Sequence, residues 1–222
     1  KSNRLRELCE FDETTRIVLS LSTVSSHMEN LVKSLKHMPE DVCIAQLGRI
    51  VPNDYDARIR NLISDMGLDQ RVRLLDPVPY DELTATAAGA DVGIFVCDPE
   101  ILNNYVSLPN RVFDFLASGL PFCAPRIPDI ADIQERRDVG TVVEETSPEG
   151  WAASIQATLN RRDQMHRNAL SAAQELTWES QEDNLAASLG NPNSITFFGV
   201  NDLAQNNRTQ RMAKSLAERG VT

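Results

Sequence analysis

Almost continuously apolar, strand-like stretches recur along this chain and alternate with stretches of helical period. No other feature limits its possible folds so strongly. The strand-like runs cover 16–22, 42–50, 71–77, 91–97, 122–125 and 141–144. Strands that read apolar at nearly every position must be covered on both faces. Between them lie helical patterns such as 57–66, where Ile59, Leu62, Ile63 and Met66 fall at i, i+3, i+4 and i+7 and Gly67 supplies the stop. This alternation predicts an α/β fold: a doubly wound parallel sheet of about six strands with helices on both faces. Right-handed crossovers then place the strand C-termini, and any ligand, along one edge.

A chain of 222 residues can bury a core without a disulfide or metal staple. Its formal charge of -10 excludes broad nucleic-acid binding, which needs a basic surface and counterion release, but leaves room for one small phosphate ligand. Cys9, Cys43, Cys97 and Cys123 form no CxxC and no cluster with His, and the last three lie in apolar, strand-like runs. We read them as buried reduced thiols. No apolar run reaches the ~18 residues of a membrane span, and no signal peptide opens the sequence. The first residue is Lys1, as expected of a trimmed start or a piece of a longer protein.

After the last strand, SPEG at 147–150 opens a helical stretch from Trp151 to about Leu189, read as two helices broken near Thr177 and Trp178. Residues 1–189 are expected to form one domain and 190–194 a linker. Residues 195–222 read as the truncated first strand and helix of a following domain: ITFFG, then a helical run ending at Gly220.

The densest chemical signal is SLPNRVFDFLASGLP at 107–121, preceded by the polar loop 102–105. Pro109 suits the first turn of a helix. The open N–H groups of that turn would face the ligand edge, where a diphosphate is favoured. Asp114 lies about one turn deeper, where a carboxylate can accept hydrogen bonds from both hydroxyls of a ribose. The simpler alternative is a solvated helix Asp.

The run at 107–121 resembles the helix-and-turn signature of group 1 glycosyltransferases, the retaining nucleotide-sugar enzymes of GT-B fold. QLG at 46–48, GLDQRVRLLDPVPYDEL at 67–83 and AGADVGI at 88–94 are similar to that family's Rossmann-like C-terminal, donor-binding half in order and spacing, over roughly residues 15 to 185. The resemblance implies that the segment carrying Leu75 and Val78 lines the base and that Asp114 holds the ribose where the family usually has Glu. Asn110 and Arg111 would meet the diphosphate. The loop with Asn104 and Tyr105 would hold the sugar through neutral side chains, because the family's second acidic position, eight residues before Asp114, is Val106 here. After the first strand the family commonly carries an Arg and then a Lys to neutralise the leaving diphosphate. SLSTVSSHMEN at 20–30 offers Ser22, Thr23 and His27 as a phosphate loop, with Glu29 beside them and Arg49 and Arg111 as other cations.

The resemblance implies transfer without a metal or other cofactor; Asp129, Asp132, Glu135 and Asp138 read as a solvated helix. Trp151 and Trp178 read as packing anchors. What the family implies is sugar transfer from a UDP- or GDP-linked donor to an acceptor glycan or lipid-linked sugar, with retention. The setting would be cytoplasmic, at the inner face of the membrane, in bacterial envelope or exopolysaccharide assembly. The tail resembles the opening of an acceptor-side GT-B domain, so the chain reads as an internal piece of a tandem enzyme. Without its partner N-terminal domain it should bind nucleotide but turn over little. The alternative is a catalytically degenerate nucleotide-binding or scaffolding module. A dinucleotide-dependent oxidoreductase shares the architecture, but no GxGxxG follows any strand.

Overall fold

The computed structural model describes residues 4–180, apart from residues 22, 25 and 178, together with residue 217. By its internal contacts the chain divides into two compact units, Lys1–Gln174 and Glu175–Thr222. The first holds all six strands: β1 (Arg16–Leu21), β2 (Val42–Leu47), β3 (Val72–Leu75), β4 (Val92–Ile94), β5 (Phe122–Pro125) and β6 (Gly140–Val143). All the pairings are parallel and the spatial order is β3-β2-β1-β4-β5-β6. All six strands predicted between residues 16 and 144 form, most of them shorter than their apolar runs.

Burial explains why these runs become strands. All six positions of β2 and all four of β5 are buried, so each needs cover on both faces. On one face, Val18, Ile44, Val92, Ile94, Cys123 and Val143 pack with α2 (Met28–Ser34), α3 (Asn53–Asp65) and α8 (Pro148–Asn160). Trp151 of α8 is 1% exposed and anchors that core, as its helical position predicts. The opposite face is closed by α6 (Asn110–Ala117), whose Phe115 stacks on Phe122 with ring centroids 5.6 Å apart. Gly93 is required there, because a Cβ on it would lie 2.8 Å from the Phe115 ring. The remaining helices are α1 (Arg4–Cys9), α4 (Tyr80–Ala87), α5 (Leu102–Tyr105), α7 (Pro128–Arg137) and α9 (Arg162–Glu175).

Three expectations change. The C-terminal helical stretch breaks near Thr177, as expected, and also at Arg161, between α8 and α9, a break marked by neither Gly nor Pro. Pro109 is the cap of α6 rather than a residue of its first turn, with extended backbone at φ -74 and ψ 150. Cys97 lies past the end of β4 and is only partly buried, whereas Cys9 on α1 is fully buried; all four thiols are free. Trp178, the linker and the tail strand lie outside the described residues. No described helix is long and apolar enough to cross a membrane.

Candidate functional site

Strand order reverses between β1 and β4, since β1 leads outward to β2 and β3 while β4 leads to β5 and β6. The connections leaving the C-terminal ends of these two strands therefore diverge to opposite sides. They leave a crevice where ligands bind in open α/β sheets. The loop after β1, the loop after β4 and the start of α6 surround it.

On the β1 side, Val24 bridges to Ile50 in the loop after β2, with Val24 N–H donating to the Arg49 carbonyl at 2.9 Å. His27 caps α2 with left-handed backbone, φ 63, a conformation uncommon for a residue with a side chain. The Met28 N–H donates to the Tyr55 hydroxyl at 2.9 Å, and that hydroxyl donates to Glu29 at 2.8 Å. Arg58 pairs with the same carboxylate. Burial works against the charge on Glu29, but hydrogen bonds from its own N–H, Tyr55 and Arg58 outweigh it and hold the carboxyl below its ordinary range. Burial, with Glu29 as acceptor, pushes the Tyr55 phenol up to about 12. The first N–H of α2 and its acidic neighbour are thus engaged with α3. Thr23 is exposed, and Ser22 lies outside the described residues.

On the β4 side, Asp98 organises its loop. One carboxylate oxygen accepts from the Glu100 N–H at 2.9 Å, and its carbonyl accepts from Asn104 Nδ2 at 2.8 Å. The other carboxylate oxygen lies 3.3 Å from His27 Nε2, joining the two loops across the crevice. Asn104 is thereby turned onto its own loop. Its neighbours Ile101, Leu102, Tyr105 and Val106 are 51%, 73%, 49% and 65% exposed, a cluster of large apolar side chains on the ligand edge. Tyr105 also lines a cavity of about 480 Å³ with Arg126, Pro128 and Asp132.

Asn110 and Arg111 open α6, whose N-terminus has no side-chain cap. The Arg111 guanidinium stacks 4.7 Å over the Phe95 ring, and burial pulls its pKa down. Asp114 is half-buried on the next turn rather than solvated. Burial raises its carboxyl pKa, with the Arg111 charge acting in the opposite sense. Leu75 ends β3 and Val78 follows it, both half-buried, and the Gly48 N–H donates to the Leu75 carbonyl at 3.0 Å. The residues expected from sequence thus gather along one sheet edge: His27 at the crevice, Asn104 and Tyr105 beside it, Asn110, Arg111 and Asp114 on α6, and Leu75 and Val78 on the outer side.

Asp98, Phe95 and Tyr55 were not legible as site residues. Asp98 carried only the weak signal of an acid just after a strand, and Tyr55 sits on a different helix from the groups it serves. Among the described residues, no three His, Cys, Asp or Glu side chains gather as metal ligands.

The family described as Glycosyl transferases group 1 matches residues 18–161. Among curated proteins, D-inositol 3-phosphate glycosyltransferase of Corynebacterium glutamicum (strain R) is 26% identical over 139 residues, 61% of this chain and 32% of that protein. The chain thus spans about a third of the curated relatives it matches. Among solved structures, Anabaena HepE in complex with UDP superposes with a TM-score of 0.73 at 18% identity, over 85% of this chain and 52% of that one. Its complex with UDP-glucose gives 0.71 at 17% identity, over 85% and 52% of the two chains. The C-terminal domain of LpcC, a glycosyl transferase group 1 family protein from Francisella tularensis, gives 0.60 at 13% identity, over 78% of this chain and 91% of that domain. These likenesses establish a Rossmann-type α/β fold that matches GT-B glycosyltransferases.

Proposed function

The chain belongs to the group 1 glycosyl transferases, and from that premise we propose that it is the C-terminal, nucleotide-sugar-binding half of a transferase. Its full enzyme would move a hexose-type sugar from an NDP donor to an acceptor hydroxyl, on a glycan or lipid-linked sugar, with retention. The bond from the anomeric carbon to the diphosphate oxygen breaks, the acceptor oxygen takes its place, and the acceptor proton leaves. The observation that carries this reading is the crevice at the β1/β4 reversal, bordered by the first turn of α6. The fold likeness to a protein in complex with UDP and with UDP-glucose supports a uridine diphosphate donor.

In this reading the α6 N-terminus and Arg111 meet the diphosphate, Asp114 accepts from the ribose hydroxyls, and the backbone around Leu75 and Val78 borders the base. Thr23 and His27, with Ser22, form the phosphate loop, and Asn104 and Tyr105 lie against the sugar. The reaction uses no metal, and the acceptor approaches from a partner domain. Residues 195–222 would open a following domain of the same kind. Bacterial glycan assembly at the cytoplasmic face of a membrane is the setting proposed.

One observation favours a second reading, a nucleotide-binding module without turnover. The loop after β1 presents no Arg or Lys, and the first N–H of α2 is already given to Tyr55. Donor hydrolysis by the full-length protein separates the two, since a module shows none. For the binding site itself, calorimetry with UDP and GDP should detect binding by the chain, abolished in Asp114→Ala. Equal affinity in that variant removes the ribose assignment.

A further inference from the structure

The contact that spans the crevice is made by a negatively charged group. Asp98 belongs to the loop after β4 and His27 to the loop after β1, and their side chains meet at 3.3 Å where the strand order reverses. Both side chains are partly exposed, 26% for Asp98 and 44% for His27, so the contact sits at the mouth of the crevice rather than in the core.

Asp98 does not depend on His27 for its position. Its other carboxylate oxygen accepts from the Glu100 N–H and its carbonyl from Asn104, a local turn that holds the acid in place. The remaining oxygen is what His27 receives. Of the neighbouring charged groups, Glu29 is taken up by Tyr55 and Arg58, and the Arg111 guanidinium stacks over Phe95.

A carboxylate and a phosphate oxygen accept the same imidazole N–H. An anion entering this crevice would compete with Asp98 for His27 and would meet a like charge only partly screened by water. We propose that Asp98 sets the affinity of the crevice for charged ligands, its carboxylate occupying on His27 the place that the diphosphate of a nucleotide takes on binding. The inference rests on the nucleotide-binding reading above and adds a specificity-determining residue to it. It also predicts discrimination by charge: a neutral nucleoside does not feel Asp98, and a nucleoside diphosphate does.

The test is calorimetry on the full chain with UDP and with uridine, comparing the unaltered protein with Asp98→Asn and His27→Gln. The asparagine carbonyl can still accept from the Glu100 N–H, so the loop turn survives the change. Asp98→Asn should bind UDP about tenfold more tightly and uridine within about twofold of the unaltered protein. Added salt should narrow the UDP difference by screening. His27→Gln should weaken UDP several-fold and leave uridine unchanged. If the unaltered chain binds UDP and Asp98→Asn binds it no more tightly, the inference is overturned while the nucleotide reading stands. Equal tightening of UDP and uridine also overturns it, because the effect is then loop opening and not charge. If neither the unaltered chain nor either variant binds UDP, the nucleotide reading fails and this inference with it.

Discussion

The two edges of the sheet are built on opposite rules. Along the N-terminal edge, charge is paired, and at Asp91 and Arg71 it is buried. Asp91, just before β4, has a side chain only 7% exposed; it accepts from the Ile17 N–H at 2.8 Å and faces Arg162 at 3.0 Å and Arg6 at 3.8 Å. Arg71, just before β3, donates to the carbonyls of Leu35, Pro39 and Val42 at 3.0, 2.8 and 2.9 Å. Nearer the surface, Arg16 at the start of β1 and Asp41 just before β2 meet through two hydrogen bonds. Along the C-terminal edge, charge pairs are more exposed, Arg126 with Glu144 and Glu135 past β5 and β6 and His27 with Asp98 across the crevice, and large apolar side chains face solvent. The first edge supplies cohesion and the second leaves contacts for a ligand to complete. Groups satisfied within the fold have little left to offer a ligand.

This contrast is most easily broken at Asp91. Asp91→Ala would take the buried carboxylate from Arg6 and Arg162 and leave the Ile17 N–H without its acceptor, and should cost about 3–5 kcal/mol in urea unfolding. Under conditions where the variant is folded, UDP affinity should stay within about twofold. A loss below about 1 kcal/mol would show that the buried network does not hold the edge together.

At the opposite edge Asp114→Asn should do the reverse, raising stability by about 0.5–1 kcal/mol while weakening UDP, because a half-buried charge is removed. The sign follows from its raised carboxyl pKa. The native state holds this proton at pH values where the unfolded chain has released it, so the contribution of Asp114 to stability declines as pH rises through that window. The advantage of the Asn variant should therefore be full at neutral pH, decline as pH falls through the ordinary Asp range and vanish below it, at about pH 3. A pH series of thermal melts reads this directly, and an advantage that persists in acid removes the charge explanation.

The smallest effect should come from the apolar cluster. Leu102→Ser, at a side chain 73% exposed, should change stability by no more than about 0.5 kcal/mol. A larger loss would show that the cluster packs within the fold in solution.

The legibility of the molecule divides along the same line. Six strands and the parallel architecture could be read from apolar runs, because a strand covered on both faces leaves a local mark at every position. The SLPNR start of α6 was legible as a Pro beside a helical pattern. The break at Arg161 was not, since no Gly or Pro marks it and Arg162 is committed to Asp91, far away in sequence. Asp98 was passed over for a similar reason: its meaning depends on His27, which reaches it only through the pairing of β1 with β4.

By itself, then, the sequence determined the alternation of strand and helix, the parallel sheet, the ligand edge and the candidate residues along it, because each follows from local period, turn chemistry or motif. Tertiary structure alone decided which charges pair. It joined Asp91 to Arg6 and Arg162, gave the first N–H of α2 to Tyr55 and set Asp98 against His27. These partners lie on separate elements, and only the strand order brings them within reach.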